Sequence, residues 1–179
     1  GKTLVYCHLA QEALRRGQTV LLLTPEIALA GSMLGYLRGG FGDRIGILHS
    51  AMGDRARAEN WRAIRDGKHP IVVGPRSALF APLPHLGLII VDEEHDSSYK
   101  QDDPSPRFHG RDAAIMRGRQ GGIPVVLGSA SPAVESYHQA KSGKYTLLEL
   151  KERPAGARLP QVRVVDLRWL VLLNDTFST

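Results

Sequence analysis

Three carboxylates and an imidazole, Asp92-Glu93-Glu94-His95, follow directly on the apolar run Gly87-Leu88-Ile89-Ile90-Val91. Acids set against a sheet core cost stability unless a cation or a proton-acceptor role compensates them. The first residues, Gly1-Lys2-Thr3, match the end of a phosphate-binding loop, where a lysine meets phosphates and a hydroxyl meets magnesium. The chemistry suggested is that of a nucleoside-triphosphate site. Gly1, Lys2 and Thr3 hold the phosphates, Thr3 and Asp92 hold Mg²⁺, and Glu93 orients water. A lone Gly-Lys-Thr also occurs often by chance, at an ordinary helix start.

The elements that must position these groups are legible as alternating strands and helices. Residues 87–91 lack polar alternation and are rich in branched aliphatics, the signature of a strand buried on both faces of a parallel sheet. Its acids then fall at the carboxyl end, where open α/β sheets bind ligands. Further strands are predicted at 19–24, 44–48, 70–74, 123–128 and 145–150, with a shorter one at 162–167. Helices are predicted at 4–16, from Glu26 to about Leu37, and at 54–66, 111–120 and 133–141. The first presents Val5, Leu9 and Ala13 on one face, carries Arg15 and Arg16 in its last turn and stops at Gly17. Its amino end would face a phosphate. Pro25 ends the second strand and Glu26 opens the next helix, which the Gly39-Gly40 pair breaks. The alternation predicts a parallel sheet covered on both faces.

Several strand ends carry polar residues with two readings each. Arg76 and Ser77 suit a phosphate of a nucleic-acid backbone or a helix cap. Residues 96–110 form a polar segment containing Tyr99, Lys100, Arg107, Phe108 and His109, too broken by Pro104 and Pro106 for regular structure. Aromatic and cationic side chains together suit stacking on unpaired bases while holding phosphates; alternatively Tyr99 and Phe108 pack onto the body. Ser129 and Ser131 could hydrogen-bond the neighbouring carboxylates or a γ-phosphate, or cap the helix that follows. The arginine-rich helix at 54–66 reads as a solvated face.

The chain has 179 residues, 42% of them hydrophobic, enough for one substantial core and one domain. Lys plus Arg number 23 against 18 Asp plus Glu, a net charge of +5, with a pI near 9.6. That balance suits a polyanionic partner, a property shared with ribosome-associated and membrane-surface proteins. The single cysteine, Cys7, leaves no internal disulfide and no cysteine-based zinc site within the chain. No signal peptide and no bilayer-length apolar run is present, so a cytoplasmic location and no membrane partner are expected. The chain starts without Met and inside a motif, which predicts a fragment lacking its first strand and most of the phosphate loop.

Taken in order, Gly1-Lys2-Thr3, Pro25-Glu26-Ile27-Ala28-Leu29, His49-Ser50, Arg76-Ser77-Ala78-Leu79-Phe80-Ala81-Pro82, the string from Asp92 through Glu93-Glu94-His95-Asp96-Ser97-Ser98-Tyr99-Lys100 to Gln101, and Gly128-Ser129-Ala130 resemble the PriA family of primosomal replication-restart helicases, in helicase superfamily two. The resemblance covers about residues 1–168, the first RecA-like motor lobe of a P-loop NTPase, and leaves 169–179 unassigned. It implies a 3′-to-5′ DNA-dependent ATPase that binds abandoned forks, uses ATP and Mg²⁺, and helps reload a replicative helicase. It also implies DNA (forks and single strands), primosome proteins and single-strand-binding proteins as partners, and zinc held elsewhere in the longer protein. By resemblance Lys2 and Thr3 belong to the Walker A motif, and Asp92 and Glu93 to Walker B. Pro25, Glu26, Arg76, Ser77 and the Tyr99–His109 segment contact DNA. Glu94, His95, Ser129 and Ser131 couple nucleotide state to movement. Pro75 departs from the family's usual Thr, removing a hydroxyl and a backbone donor beside Arg76.

Two other readings share these residues. A non-hydrolysing DNA- or partner-binding module on the same fold accommodates Pro75 and the truncated phosphate loop. A small-molecule kinase would need an acceptor pocket, and the aromatic–basic segment argues against it. The transition state also needs added positive charge, usually an arginine from a second lobe, so this fragment alone is expected neither to hydrolyse ATP usefully nor to unwind DNA.

Overall fold

The computed structural model describes residues 1–25, 31–49, 52–103 and 105–151. The helices are α1 Lys2–Arg15, α2 Gly31–Phe41, α3 Asp54–Arg65, α4 Gly110–Gly121 and α5 Val134–Lys141. Five of the apolar runs become β1 Thr19–Leu23, β2 Ile45–Ile47, β3 Ile71–Gly74, β4 Leu86–Asp92 and β7 Val125–Gly128. They form one parallel sheet in the order β2-β3-β1-β4-β7. Strands β2 and β3 build outward on one side of β1, and β4 and β7 on the other. The β1/β4 boundary is therefore a topological switch point, the place where open α/β sheets bind ligands.

Period-two alternation divides the core into two layers. Val20, Leu22, Ile71, Val73, Leu88 and Ile90 face α1 and α2, meeting Tyr6, Ala10, Ala13, Met33, Leu37 and Phe41. Leu21, Leu23, Val72, Ile89 and Val91 face the other way, onto Ile64 of α3, Ala114 of α4, Tyr99, and Ala78 and Leu79 of a 3-10 turn at Arg76–Phe80. Each large aliphatic so buried is worth about 1.5–3 kcal/mol relative to exposure. The sheet is thus anchored at its centre, and its carboxyl edge is a rigid platform. Among the described residues no helix is long and apolar enough to cross a membrane.

Several expectations are corrected. The buried face of α1 is Tyr6-Ala10-Ala13, with Leu9 half-buried beside it and Val5 exposed. Helix α2 runs through Gly39-Gly40 to Phe41, because Leu37 and Phe41, one turn apart, both dock into the core and offset the weak glycines. Residues 145–150 form no strand: Leu147, Leu148 and Leu150 are exposed and, among the described residues, the parallel sheet ends at β7. The segment 96–110 is not irregular throughout. A 3-10 turn at Ser97–Tyr99 leads into an antiparallel pair, β5 Lys100–Gln101 with β6 Phe108–His109. The predicted strand at 162–167 and the tail at 169–179 lie outside the described residues, as does Glu26 with the start of its predicted helix.

Candidate functional site

Strand β4 ends at Asp92, and the chain then turns sharply. Glu93 adopts a left-handed backbone with φ +45°, uncommon for a residue with a side chain and a mark of a position held by its surroundings. The turn is closed by the Asp96 amide donating to the Glu93 carbonyl at 2.9 Å and the Glu94 amide donating to the Gly128 carbonyl at 3.1 Å. Strand alternation would send Asp92 and Glu93 to opposite faces. The left-handed turn instead lets both reach Lys2 on α1. Lys2 Nζ lies 3.5 Å from Asp92 Oδ1 and ion-pairs with Glu93 Oε1.

Lys2 sits on the first turn of α1, with half-buried Thr3 next to it and Gly1 as N-cap. No side chain caps this helix end and no acid occupies its first turn. A helix amino terminus left this way carries partial positive charge and orphan amide donors. The site therefore gathers a cationic helix end, one ammonium and two carboxylates, all part-exposed. Among the described residues no group of three or more His, Cys, Asp or Glu gathers to hold a metal ion by itself. Magnesium does not require one: it is commonly held by one or two protein oxygens together with phosphate oxygens and water. The donors present, the Asp92 carboxylate and the Thr3 hydroxyl, fit that pattern.

Around this centre are groups that sequence reasoning missed. Tyr6, one turn beyond Lys2, donates its phenol to Asp92 Oδ1 at 2.8 Å. Its i,i+4 spacing from Lys2 was the available signal. Glu94 is 1% exposed yet fully partnered. It accepts from Arg111 at 3.2 Å, from the Ala133 amide at 2.7 Å and from the Ser136 hydroxyl at 2.8 Å. Burial alone would lower Arg111, but its hydrogen bonds and charge contacts with Asp112 and Glu94 outweigh that and hold it above its ordinary range. Nothing in the sequence marked Arg111 or Ser136 as partners of Glu94. His95 Nδ1 shares a 2.7 Å hydrogen bond with Ser129 Oγ, and that oxygen accepts the Ser131 amide at 2.9 Å. The structure thus links His95, Ser129 and the Ser131 amide in one chain of hydrogen bonds, while the Glu94 carboxylate belongs to a separate set with Arg111, Ala133 and Ser136. Glu94, rather than either serine, takes the amide at the mouth of α5.

The residues assigned to nucleic acid divide. Tyr99 is wholly buried, its phenol donating to the Asp92 carbonyl at 2.7 Å. It cannot stack on a base from there, and packing onto the body is its role. Burial, followed by the charge of Asp92, raises its phenol well above the ordinary tyrosine range. Arg76 is turned inward too, its Nη1 donating to the carbonyls of Ser98 at 3.0 Å and Lys100 at 2.5 Å, bracing the hairpin. Ser77 and Arg107 are exposed, and Lys100 is exposed beside Asp102 at 3.1 Å. Phe108 is half-buried, edge-on to the exposed Phe80 ring at 5.5 Å. His109 is half-buried, with its Nδ1 buried and unpartnered among the described residues. Pro25 is half-buried just beyond β1; Glu26 lies outside the described residues.

Comparison with known proteins places this geometry. A family profile described as DEAD/DEAH box helicase matches residues 1–140. The chain is similar to the replication restart protein PriA of Chlamydia pneumoniae, 45% identical over 93% of the chain and 22% of that protein. It is also similar to that of Bacillus subtilis, 43% identical over 94% of the chain and 21% of that protein. The chain thus spans about a fifth of the length of these relatives. Among solved structures, the DUF1998 helicase MrfA bound to DNA and AMPPNP superposes over 80% of the chain and 20% of its own, with a TM-score of 0.55 and 13% identity. That likeness concerns the fold.

Proposed function

The chain belongs to the DEAD/DEAH box helicase family, and from that premise we propose that it is the ATP-binding first motor lobe of a 3′-to-5′ DNA helicase acting in replication restart and primosome assembly. The lobe comprises residues 1–168 of a longer protein whose partners are DNA, primosome proteins and single-strand-binding proteins, and whose location is cytoplasmic. The observation that carries the reading is the meeting of Lys2 with Asp92 and Glu93 at the carboxyl edge of a parallel sheet.

Each side chain has a task that its position suits. Gly1, Lys2 and Thr3 receive the triphosphate at the amino end of α1. Thr3 and Asp92 supply oxygens for Mg²⁺, which when bound neutralises charge on the transferring phosphoryl group. Lys2, now paired with Glu93, exchanges that carboxylate for phosphate oxygens. Glu93 is thereby released to orient the attacking water and accept its proton. Glu94, His95, Ser129 and Ser131 relay the state of the site into β7 and α5. Ser77, Lys100, Arg107, Phe108 and His109 meet nucleic acid, with Pro25 and, on its sequence alone, Glu26, since an aromatic beside cations suits unpaired bases; Arg76 braces the β5–β6 hairpin among them.

The test is DNA-stimulated ATP turnover in the full-length protein. Glu93→Gln should cut turnover by 10²-fold or more while nucleotide still binds, since general-base assistance is worth about 10²–10⁴-fold. Lys2→Ala should lose nucleotide binding itself. Wild-type turnover in Glu93→Gln would overturn the assignment.

A further inference from the structure

Tyr6 is a buried phenol for which neither phosphate binding nor nucleic-acid contact has a use. It lies on the α1 side of the sheet and donates to Asp92 Oδ1 at 2.8 Å. From the opposite layer, Tyr99 donates to the carbonyl of the same residue at 2.7 Å. Asp92 is thus gripped twice, once at its side chain and once at its backbone. Gly128, the register partner of Asp92 on β7, leaves room for this contact. A Cβ at Gly128 would fall 1.7 Å from Tyr6 Oη. The two Asp92 oxygens are consequently unequal. Oδ1 is engaged by Tyr6 and lies near Lys2, whereas Oδ2 has no hydrogen-bond partner among the described residues.

We infer that Tyr6 is a positioning residue for the metal ion of this site: by holding Oδ1 it fixes the Asp92 carboxylate so that Oδ2 is presented to a divalent cation. The inference rests on the reading above, in which Asp92 holds magnesium. Partners behind a metal ligand set its orientation, and their loss typically costs 10- to 100-fold in metal affinity or activity.

A matched pair of deletions tests it in the full-length protein. Tyr6→Phe and Tyr99→Phe each remove one buried hydroxyl that donates to Asp92, but only the first acts on the carboxylate. Mn²⁺ is titrated by electron paramagnetic resonance at saturating AMPPNP, with the Mn²⁺ dependence of ATP turnover measured alongside. Expected is a Mn²⁺ midpoint about tenfold higher in Y6F, with turnover recovered at high Mn²⁺, and a midpoint within twofold of wild type in Y99F. A Y6F midpoint within twofold of wild type, or equal shifts in both variants, overturns the inference while leaving the nucleotide site standing. Absence of Mn²⁺·AMPPNP binding by the wild type overturns both. Should Y6F not fold, 3-fluorotyrosine placed at position 6 alone decides. A ¹⁹F resonance that shifts and broadens on adding Mn²⁺ with AMPPNP supports the role of Tyr6, and an unchanged one refutes it.

Discussion

Glu94→Gln should destabilise the protein by an amount that can be worked from its contacts. The carboxylate is 1% exposed and accepts from a guanidinium, a backbone amide and a hydroxyl. Breaking a buried ion pair by removing one partner costs about 3–5 kcal/mol when the other charge is stranded. Here Arg111 keeps Asp112 at 2.9 Å, so the lower end applies. A carboxamide retains one oxygen, enough for the Ala133 amide, but turns an NH₂ toward both Arg111, which cannot accept, and Ser136, which must reverse its hydroxyl to do so. The sum is about 3 kcal/mol: a charge-assisted bond of about 2 and a neutral one of about 1. Glu94→Ala, which strands all three donors, should cost about 5 kcal/mol. For a chain of this size each kcal/mol lowers Tm by about 2–4 °C, giving a fall of about 6–12 °C for Glu94→Gln. Thermal and denaturant unfolding read the total, and hydrogen exchange should localise the loosening to α4 and α5. Ser136→Ala should cost about 1 kcal/mol alone and add less than that to Glu94→Ala, since the partner has already gone. A Tm for Glu94→Gln within about 1 °C of wild type would refute the reasoning, because a buried acid with three donors cannot be neutralised without consequence.

Three further outcomes follow from the same geometry. Arg76→Ala should free the Ser98 and Lys100 carbonyls and lower hydrogen-exchange protection in the β5–β6 hairpin by about tenfold; unchanged protection would leave Arg76 as a phosphate contact and nothing more. Gly118→Ala should destabilise by about 2–3 kcal/mol in denaturant unfolding, since its Cβ would meet Val125 Cγ2 at 2.2 Å and the Ile123 carbonyl at 2.8 Å; wild-type stability would refute that packing. The Ser98 amide, bonded to Asp96 Oδ1 at 2.8 Å, holds the Asp96 carboxyl below its ordinary value. Because the folded value is the lower one, its stabilisation is present above the unfolded value near 3.9 and is lost as pH falls through the folded one. Asp96→Asn should flatten the acid limb of the Tm–pH curve, and an ordinary NMR titration of Asp96 would contradict this.

What could be read from the sequence was whatever local pattern determines. Uninterrupted branched aliphatics became the five parallel strands, and the acids fell at the end of β4, beside the central β1, because the chain must turn there. The string from Asp92 to Gln101 and the Gly1-Lys2-Thr3 triplet were sufficient to expect a triphosphate site. What failed depended on partners distant in sequence. Residues 145–150 have the composition of a strand, but pairing decides a strand, and among the described residues the sheet ends at β7. Tyr99 looked like a stacking platform because an aromatic beside cations has the same composition whether it faces solvent or core; its phenol reaching the Asp92 carbonyl settled it inward.

The turn at Glu93 is where local rules and global structure conflict. Alternation along β4 assigns adjacent acids to opposite faces, and a left-handed backbone at a glutamate costs on the order of 1–3 kcal/mol. The structure accepts that conformation because several contacts require it together: the Lys2–Glu93 pair, the Asp96 amide on the Glu93 carbonyl, and the Glu94 amide on Gly128. Only with the turn in place can two consecutive carboxylates reach one ammonium while the third dives into the core toward Arg111 and Ser136. A single backbone torsion thus separates the two acids that meet Lys2 from the acid that ties the sheet's carboxyl edge to α4 and α5. It also explains why a glycine at position 93 would be a poor substitute despite its easier backbone: the relaxed turn would no longer carry the group that meets Lys2.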